Sequence, residues 1–338
     1  MTSTLAPSFL DQAGSPELPA PRGPLSDAVI GALRGGPLGP VDAAGAEPYG
    51  DDLQLALHCC YELHYRGFAG VDAEREWDPE LLGVRRDLER VFLAALRADV
   101  EPGDDVAAEV DALLVEPIGP GVRGVSHHLQ REGTLEQLHE YVAHRSIYHL
   151  KEADPQAWVI PRLSGAAKAG LVTVEHDEYG SGRPERMHAL LFAEMMTELG
   201  LSDAYGAYVE HVPGETLAEV NLMSLCGLHR SLRGASVGQF AMVELTSSPG
   251  SERLVRGMRR LECGPASIRF YDEHVEADAV HEQVVRRGVL APLLAAEPEL
   301  APDVVFGIRA SLFLGERMGE RLLGCWDRGE SSLRMPLA

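Results

Sequence analysis

Positive charge is scarce in this chain of 338 residues: 30 Lys and Arg stand against 52 Asp and Glu, a formal net charge of −22. No surplus of cations exists to displace counterions from a phosphate backbone, which argues against a nucleic-acid partner. An anionic membrane surface is disfavoured for the same reason. Long apolar runs are missing as well; none approaches the roughly 18 residues that a membrane span needs. The first residues, "MTSTLAPSFLDQAGS", have neither a basic n-region nor an apolar stretch and do not read as a secretory signal. The five cysteines are odd in number, Cys59 and Cys60 are adjacent, and none forms a CxxC. That excludes a zinc ribbon and a disulfide framework, and the expectation is reduced thiols in a cytoplasm. Strand signals are equally thin, with no sustained alternation and no Asn-Gly hairpin.

What is present is helical periodicity. Residues 1–48 are rich in Pro, Gly, Ala and Ser and read as a flexible leader with one short helix at "SDAVIGALRG". From "DDLQLALHCCYELHYRGF" onward the apolar positions recur at helical spacing, and Pro, Gly and Asp punctuate the segments as caps and turns. The fold class is therefore all-α. No linker interrupts residues 49–338, which read as one helical domain.

Three stretches carry metal-type chemistry. In "HLKEADPQAWVIPRLSG", Glu152 falls on the last turn of a helix that Asp154-Pro155 should end, facing the negative end of the macrodipole, where a cation would compensate it. In "VEHDEYGSGRPERMHALLF", Gly180-Ser181-Gly182 breaks a helix that ends at Glu178, and Pro184 suits the start of the next. Glu185 and His188 are then i, i+3, the way a helix offers one carboxylate and one imidazole to iron or manganese. The pattern occurs again as Glu136 and His139. In "FYDEHVEADAVHEQ", His274, Asp278 and His281 sit at i, i+4 and i+7 on one stripe. Each motif alone also reads as a solvated helix face. Together, Glu152, Glu178, Glu185 and Asp278 would balance the four positive charges of two divalent ions, with His188, His274 and His281 as neutral ligands. Without metal, four carboxylates facing one interior would repel at high cost. A dinuclear carboxylate–histidine site is the economical explanation, and a hydrolytic two-metal site is the alternative to O2 chemistry.

The ordered set Glu152, Glu178, Glu185-x-x-His188, His274-x-x-x-Asp278-x-x-His281 resembles the haem-oxygenase-like diiron oxidases, also called iron-containing redox enzymes. The flanking text agrees, in "YHLKEADPQAWVIPRLSGAAKAGLV", "DEYGSGRPERMHALLFAEMM" and "NLMSLCGLHRSLRGASVGQFAMVELTSS", and the resemblance spans roughly residues 50–335. It implies a haem-oxygenase-like bundle of about seven core helices with iron in place of haem. It also implies two Fe(II) ions that react with O2 to a peroxo-diferric species and act on a small metabolite. Those seven residues match the ligand positions of relatives that N-oxygenate amines and guanidines. Other relatives cleave or desaturate amino acids and fatty acids. Glu244 matches a position that supplies a ligand in some of them and stands as an alternate ligand. A small-molecule substrate, an external electron donor and a homodimer complete the expectation. Leu163, Met187, Leu190 and Phe240 are the apolar residues expected beside the metals.

Three rival readings make different demands. Haem oxygenase needs a proximal His near the start of the bundle, for which His58 and His64 are the candidates. A ferritin-like diiron protein would use Glu136/His139 with Glu185/His188 and leave the His-Asp-His stripe idle. A non-catalytic helical scaffold would leave all the acids in water.

Overall fold

The computed structural model describes residues 14–116, 119 and 121–337, without the side chains of Glu276, Asp278 and Ala279. Among the described residues every regular element is helical and there is no strand. In chain order the α-helices are α1 (Pro24–Leu33), α2 (Asp51–Glu62), α3 (Pro79–Asp99), α4 (Val106–Leu113), α5 (Val125–Arg131), α6 (Leu135–His149), the single turn α7 (Asp154–Ala157), α8 (Gly165–Glu178), α9 (His188–Glu198), α10 (Gly214–Leu228), α11 (Arg233–Arg260), α12 (Pro265–Val284), α13 (Ala291–Ala296) and α14 (Ala301–Asp327).

Two apolar cores hold these helices. The larger joins α1, α2, α3, α6, α9 and α10 through residues such as Ile30, Phe92, Ile147, Phe192 and Leu217. The smaller joins α8 to the first halves of α11 and α14 through Leu171, Val174, Val237, Val289 and Val304. Each such side chain, taken fully out of water, contributes about 1.5–3 kcal/mol before entropy is charged against it.

Glycines set where helices touch. A Cβ on Gly238 would lie 2.0 Å from the Val304 carbonyl oxygen, and one on Gly307 would lie 2.0 Å from that of Ala235. The backbones of α11 and α14 therefore meet directly at this crossing. Beyond it α5 lies against both helices, Gly257 of α11 meeting Leu129 and Gly319 of α14 meeting Val125. Residues of α5, α11 and α14 line a cavity there. At a second close approach a Cβ on Gly170 would lie 2.5 Å from the Gly288 carbonyl oxygen, which seats α8 on the π-helical turn Val285–Leu290 that follows α12.

The leader differs from the expectation. Residues 1–13 lie outside the described residues, but α1 packs as part of the larger core, with Val29 and Ile30 fully buried. Asp52 holds it across the interface, accepting hydrogen bonds from the backbone N–H groups of Leu25 (3.0 Å) and Ser26 (2.7 Å) and from the Ser26 hydroxyl (2.6 Å). Four apolar side chains on one helical face (Leu25, Val29, Ile30 and Leu33) outweigh the Pro- and Gly-rich composition around them.

Candidate metal centre

Local chain reversals bring the candidate ligands together. Helix α6 ends at His149, three residues before Glu152 and short of Asp154-Pro155. Ala153 takes a left-handed φ of 76°. Glu152 thus sits buried in the reversal just past α6 rather than on its last turn. Its neighbour Lys151 anchors the turn, donating to Glu62 of α2 at 2.9 Å in a fully enclosed ion pair.

Helix α8 does end at Glu178, and Gly180, Ser181 and Gly182 (φ 71°, 54° and 76°) reverse the chain. The helical pairing of Glu185 with His188 expected from the spacing does not form. Pro184–Arg186 form only a 3₁₀ turn, Met187 is extended (ψ 130°), and α9 begins at His188. Glu185 and His188 therefore share no helical face, and Glu185 is exposed. The partner His188 finds is Glu178, Nδ1 to Oε2 at 2.7 Å.

Helix α12 is continuous from Pro265 to Val284, so His274 and His281 do fall on one stripe, and both are buried. The side chain of Asp278, and that of Glu276, lies outside the described residues. On the wet side Asp272 pairs with Arg259 at 3.4 Å and Glu273 with Arg186 at 3.1 Å. Helix α11 supplies Glu244.

Among the described residues two groups of ligand atoms result. Glu152, Glu178, His188 and His274 each offer one atom within 4.8 Å of the others, and Glu178, Glu244 and His281 do the same. Glu178 belongs to both. Within them His274 Nε2 stands 3.7 Å from Glu152 Oε1, His281 Nδ1 stands 3.6 Å from Glu178 Oε1 and 3.0 Å from Glu244 Oε2. All six are buried. Carboxylate and imidazole donors with no thiolate suit iron, manganese or zinc rather than a structural zinc knot.

The surroundings prepare these donors. His274 Nδ1 donates to the Phe270 carbonyl at 2.7 Å, which fixes the tautomer and leaves the Nε2 lone pair facing the cluster. His149 Nδ1 donates to Glu152 Oε1 at 2.9 Å. Burial holds the His149 imidazole neutral, pushing its pKa down to about 4 despite Glu152 beside it. Burial alone would raise the Glu152 carboxyl, but His149 and His274 together hold it well below the usual carboxylate range. Glu152 Oε2 has no hydrogen-bond partner, an orphaned acceptor that a metal ion would satisfy.

A cavity of about 1040 Å³ opens onto the cluster. Glu152, Glu178, Glu244 and His274 form its inner wall, and Phe240, Leu222, Met223 and Leu314 supply apolar lining. Of the apolar residues expected there, only Phe240 lines it; Leu163 and Leu190 belong to the two cores, and Met187 packs against the larger one. Arg145 also lines the cavity, bound to Glu219 at 3.1 Å.

Sequence reasoning missed two residues at the site. His149 sits at i−3 from Glu152, but the reversal that turns both inward has no sequence signature. Glu175, one turn before Glu178 on the same face of α8, lines the cavity with both carboxyl oxygens buried and unpartnered. Burial, then the nearby Glu178 and Glu244, push it up to about 9. The second Glu-x-x-His does not contribute: Glu136 is exposed at the start of α6, and neither it nor His139 joins either group. His58 and His64 do not line the large cavity.

A family model described as "iron-containing redox enzyme" matches residues 139–316, a span that contains every residue of both ligand groups. None of the curated proteins matches the chain. The all-helical architecture agrees with the haem-oxygenase-like fold expected from the motifs. With more than half its length in the match and buried carboxylate–imidazole groups at the centre of it, this chain belongs to the iron-containing redox enzyme family.

Proposed function

We propose that the protein is a non-haem diiron, O2-dependent oxygenase that N-oxygenates an amine or guanidine nitrogen of a small metabolite, with electrons from an external donor. The observation that carries the reading is Glu178: one carboxylate common to two ligand groups is what a pair of adjacent metal ions requires. Two ferrous ions bound there would supply the reduction of O2.

The chain's own residues do the rest. The Phe270 carbonyl fixes the tautomer of His274, and His149 in turn orients Glu152 by donating to its Oε1. Phe240, Leu222, Met223 and Leu314 present apolar surface to a substrate, exclude water and orient the reacting atom toward the inner wall.

Anaerobic titration with Fe(II) is expected to saturate at two ions per chain. Binding to the folded state alone should also raise Tm, by an amount that grows with free metal. Admission of O2 should then consume it and convert an accepted amine to a hydroxylamine, detected by mass. Saturation at one ion, or no O2 uptake by the loaded protein, would sink the diiron reading. O2 uptake with oxidation at carbon alone across an amine panel would sink N-oxygenation.

A further inference from the structure

Glu175 is the acid at this site for which the metal groups provide no use. It is 3% exposed, both its oxygens lack a hydrogen-bond partner among the described residues, and it lines the large cavity. It lies outside both metal-ligand groups. The charges that act on it are all negative: Glu178, Glu244 and Asp154. The cations of the cavity wall are committed elsewhere, Arg145 to Glu219 at 3.1 Å, Arg253 to Glu116 and Ser126, and Arg123 to Asp327. An unpaired carboxylate in such a place costs several kcal/mol, and a neutral carboxyl without hydrogen bonds also loses stability. A buried acid left without a partner in a cleft calls for a function or a ligand that supplies one.

We propose that Glu175 is the specificity-determining residue that receives the cationic nitrogen of the substrate, an ammonium or guanidinium group entering by the cavity and pairing with this carboxylate next to the metal cluster. The inference rests on the N-oxygenating reading and deepens it by naming what selects a nitrogen substrate. The helix places the group suitably: Glu175 and Glu178 are i, i+3 on α8, about 5–6 Å apart at Cβ, so a nitrogen held by the first lies within reach of whatever the second binds. A fatty-acid substrate finds the opposite here, since its carboxylate would meet a further acid.

The test uses the full chain, loaded anaerobically with Fe(II), and titrates hexylamine and the uncharged isostere hexan-1-ol by calorimetry into wild type and Glu175→Gln. Hexylamine should bind wild type and lose at least tenfold in affinity in Glu175→Gln, whereas hexan-1-ol should not distinguish the two. Iron stoichiometry and Tm should be the same in both proteins. Equal hexylamine affinity in the two proteins overturns the proposal, as does no hexylamine binding to either. Loss of iron from Glu175→Gln overturns it in another way, by making Glu175 a metal ligand. Failure of the diiron reading is separately visible: wild type would then take up fewer than two irons or no O2, while Glu175-dependent hexylamine binding to the metal-free chain would survive.

Discussion

The ligand stripe on α12 and the ligand turn between Glu178 and His188 place their side chains by opposite means. On α12, His274 and His281 converge because an unbroken helix repeats its face every 3.6 residues, and nothing beyond local spacing is needed. Between Glu178 and His188 the chain reverses at three consecutive positive φ values, passes through a 3₁₀ turn, and resumes as α9. Helical spacing there misleads: it joins Glu185 to His188, whereas the fold joins Glu178 to His188. A ligand set on a helix is legible from the period, but one across a reversal depends on what the reversal packs against.

Substitutions in the two regions should behave differently. The largest effect is expected for Glu178→Ala, which removes a ligand atom from both groups. Fe(II) affinity should fall by roughly a hundredfold or more, since loss of even an outer-shell partner costs 10–100-fold. Equilibrium iron analysis reads this directly, and retention of two tightly held ions would break the claim that Glu178 is shared.

Next is Gly180→Ala. Its φ of +71° disfavours any side chain, and a Cβ would stand 2.7 Å from the Met187 amide nitrogen. Unfolding free energy from a urea titration should drop by about 1–3 kcal/mol, and the displaced His188 should weaken iron binding as well. An Ala inside α12 at an exposed position should do neither.

A smaller effect is expected for Glu198→Gln at the far end of α9, which ties the two regions together. Glu198 accepts from the backbone N–H groups of Ala266 (3.2 Å) and Ser267 (2.7 Å) and from the Ser267 hydroxyl (2.7 Å), capping the first turn of α12. Loss of this cap should cost about 1 kcal/mol. Desolvation is the largest single influence and opposes the ionised carboxyl, but the hydrogen bonds from Ser267 and Ala266 together outweigh it and hold the group below its ordinary 4.5. A depressed folded pKa means the contribution is present above about 4.5 and is lost as pH falls through the lowered value. The stability gap between wild type and Glu198→Gln should therefore narrow on acidification; a gap that widens would contradict the capping role.

The smallest effect belongs to Glu185→Gln. An exposed side chain without a packing role should alter stability by no more than about 0.5 kcal/mol, and iron held by Glu152, Glu178, His188 and His274 should be unaffected. Loss of one iron per chain from this variant would show that the 3₁₀ turn refolds onto the cluster when metal loads, as the resemblance implies.

Much of the site was readable for a physical reason. Glu152, Glu178, His188, His274 and His281 stand out in the sequence because their residue types have few other uses in combination, and the fold distributes them over two buried groups that share Glu178. Glu244 is visible only as an alternate ligand, since a single Glu in the apolar stretch "FAMVELTSS" has no local pattern; only the packing of α11 brings it beside Glu178 and His281. Glu175 was not legible at all. Its spacing from Glu178 is visible, but "TVEHDEYG" is crowded with acids, and only burial separates Glu175 from its exposed neighbour His176 and the half-buried Asp177.

By itself the sequence determined the helical class, the absence of a membrane-length span, and a set of carboxylates and imidazoles suited to iron, because periodicity and residue chemistry act locally. Only the tertiary structure decided which carboxylates are shared, which are left in water, and that α1 belongs to the core. Those outcomes depend on chain reversals at Ala153 and Gly180 and on glycine-mediated helix contacts, where one missing Cβ sets the distance between elements far apart in the chain.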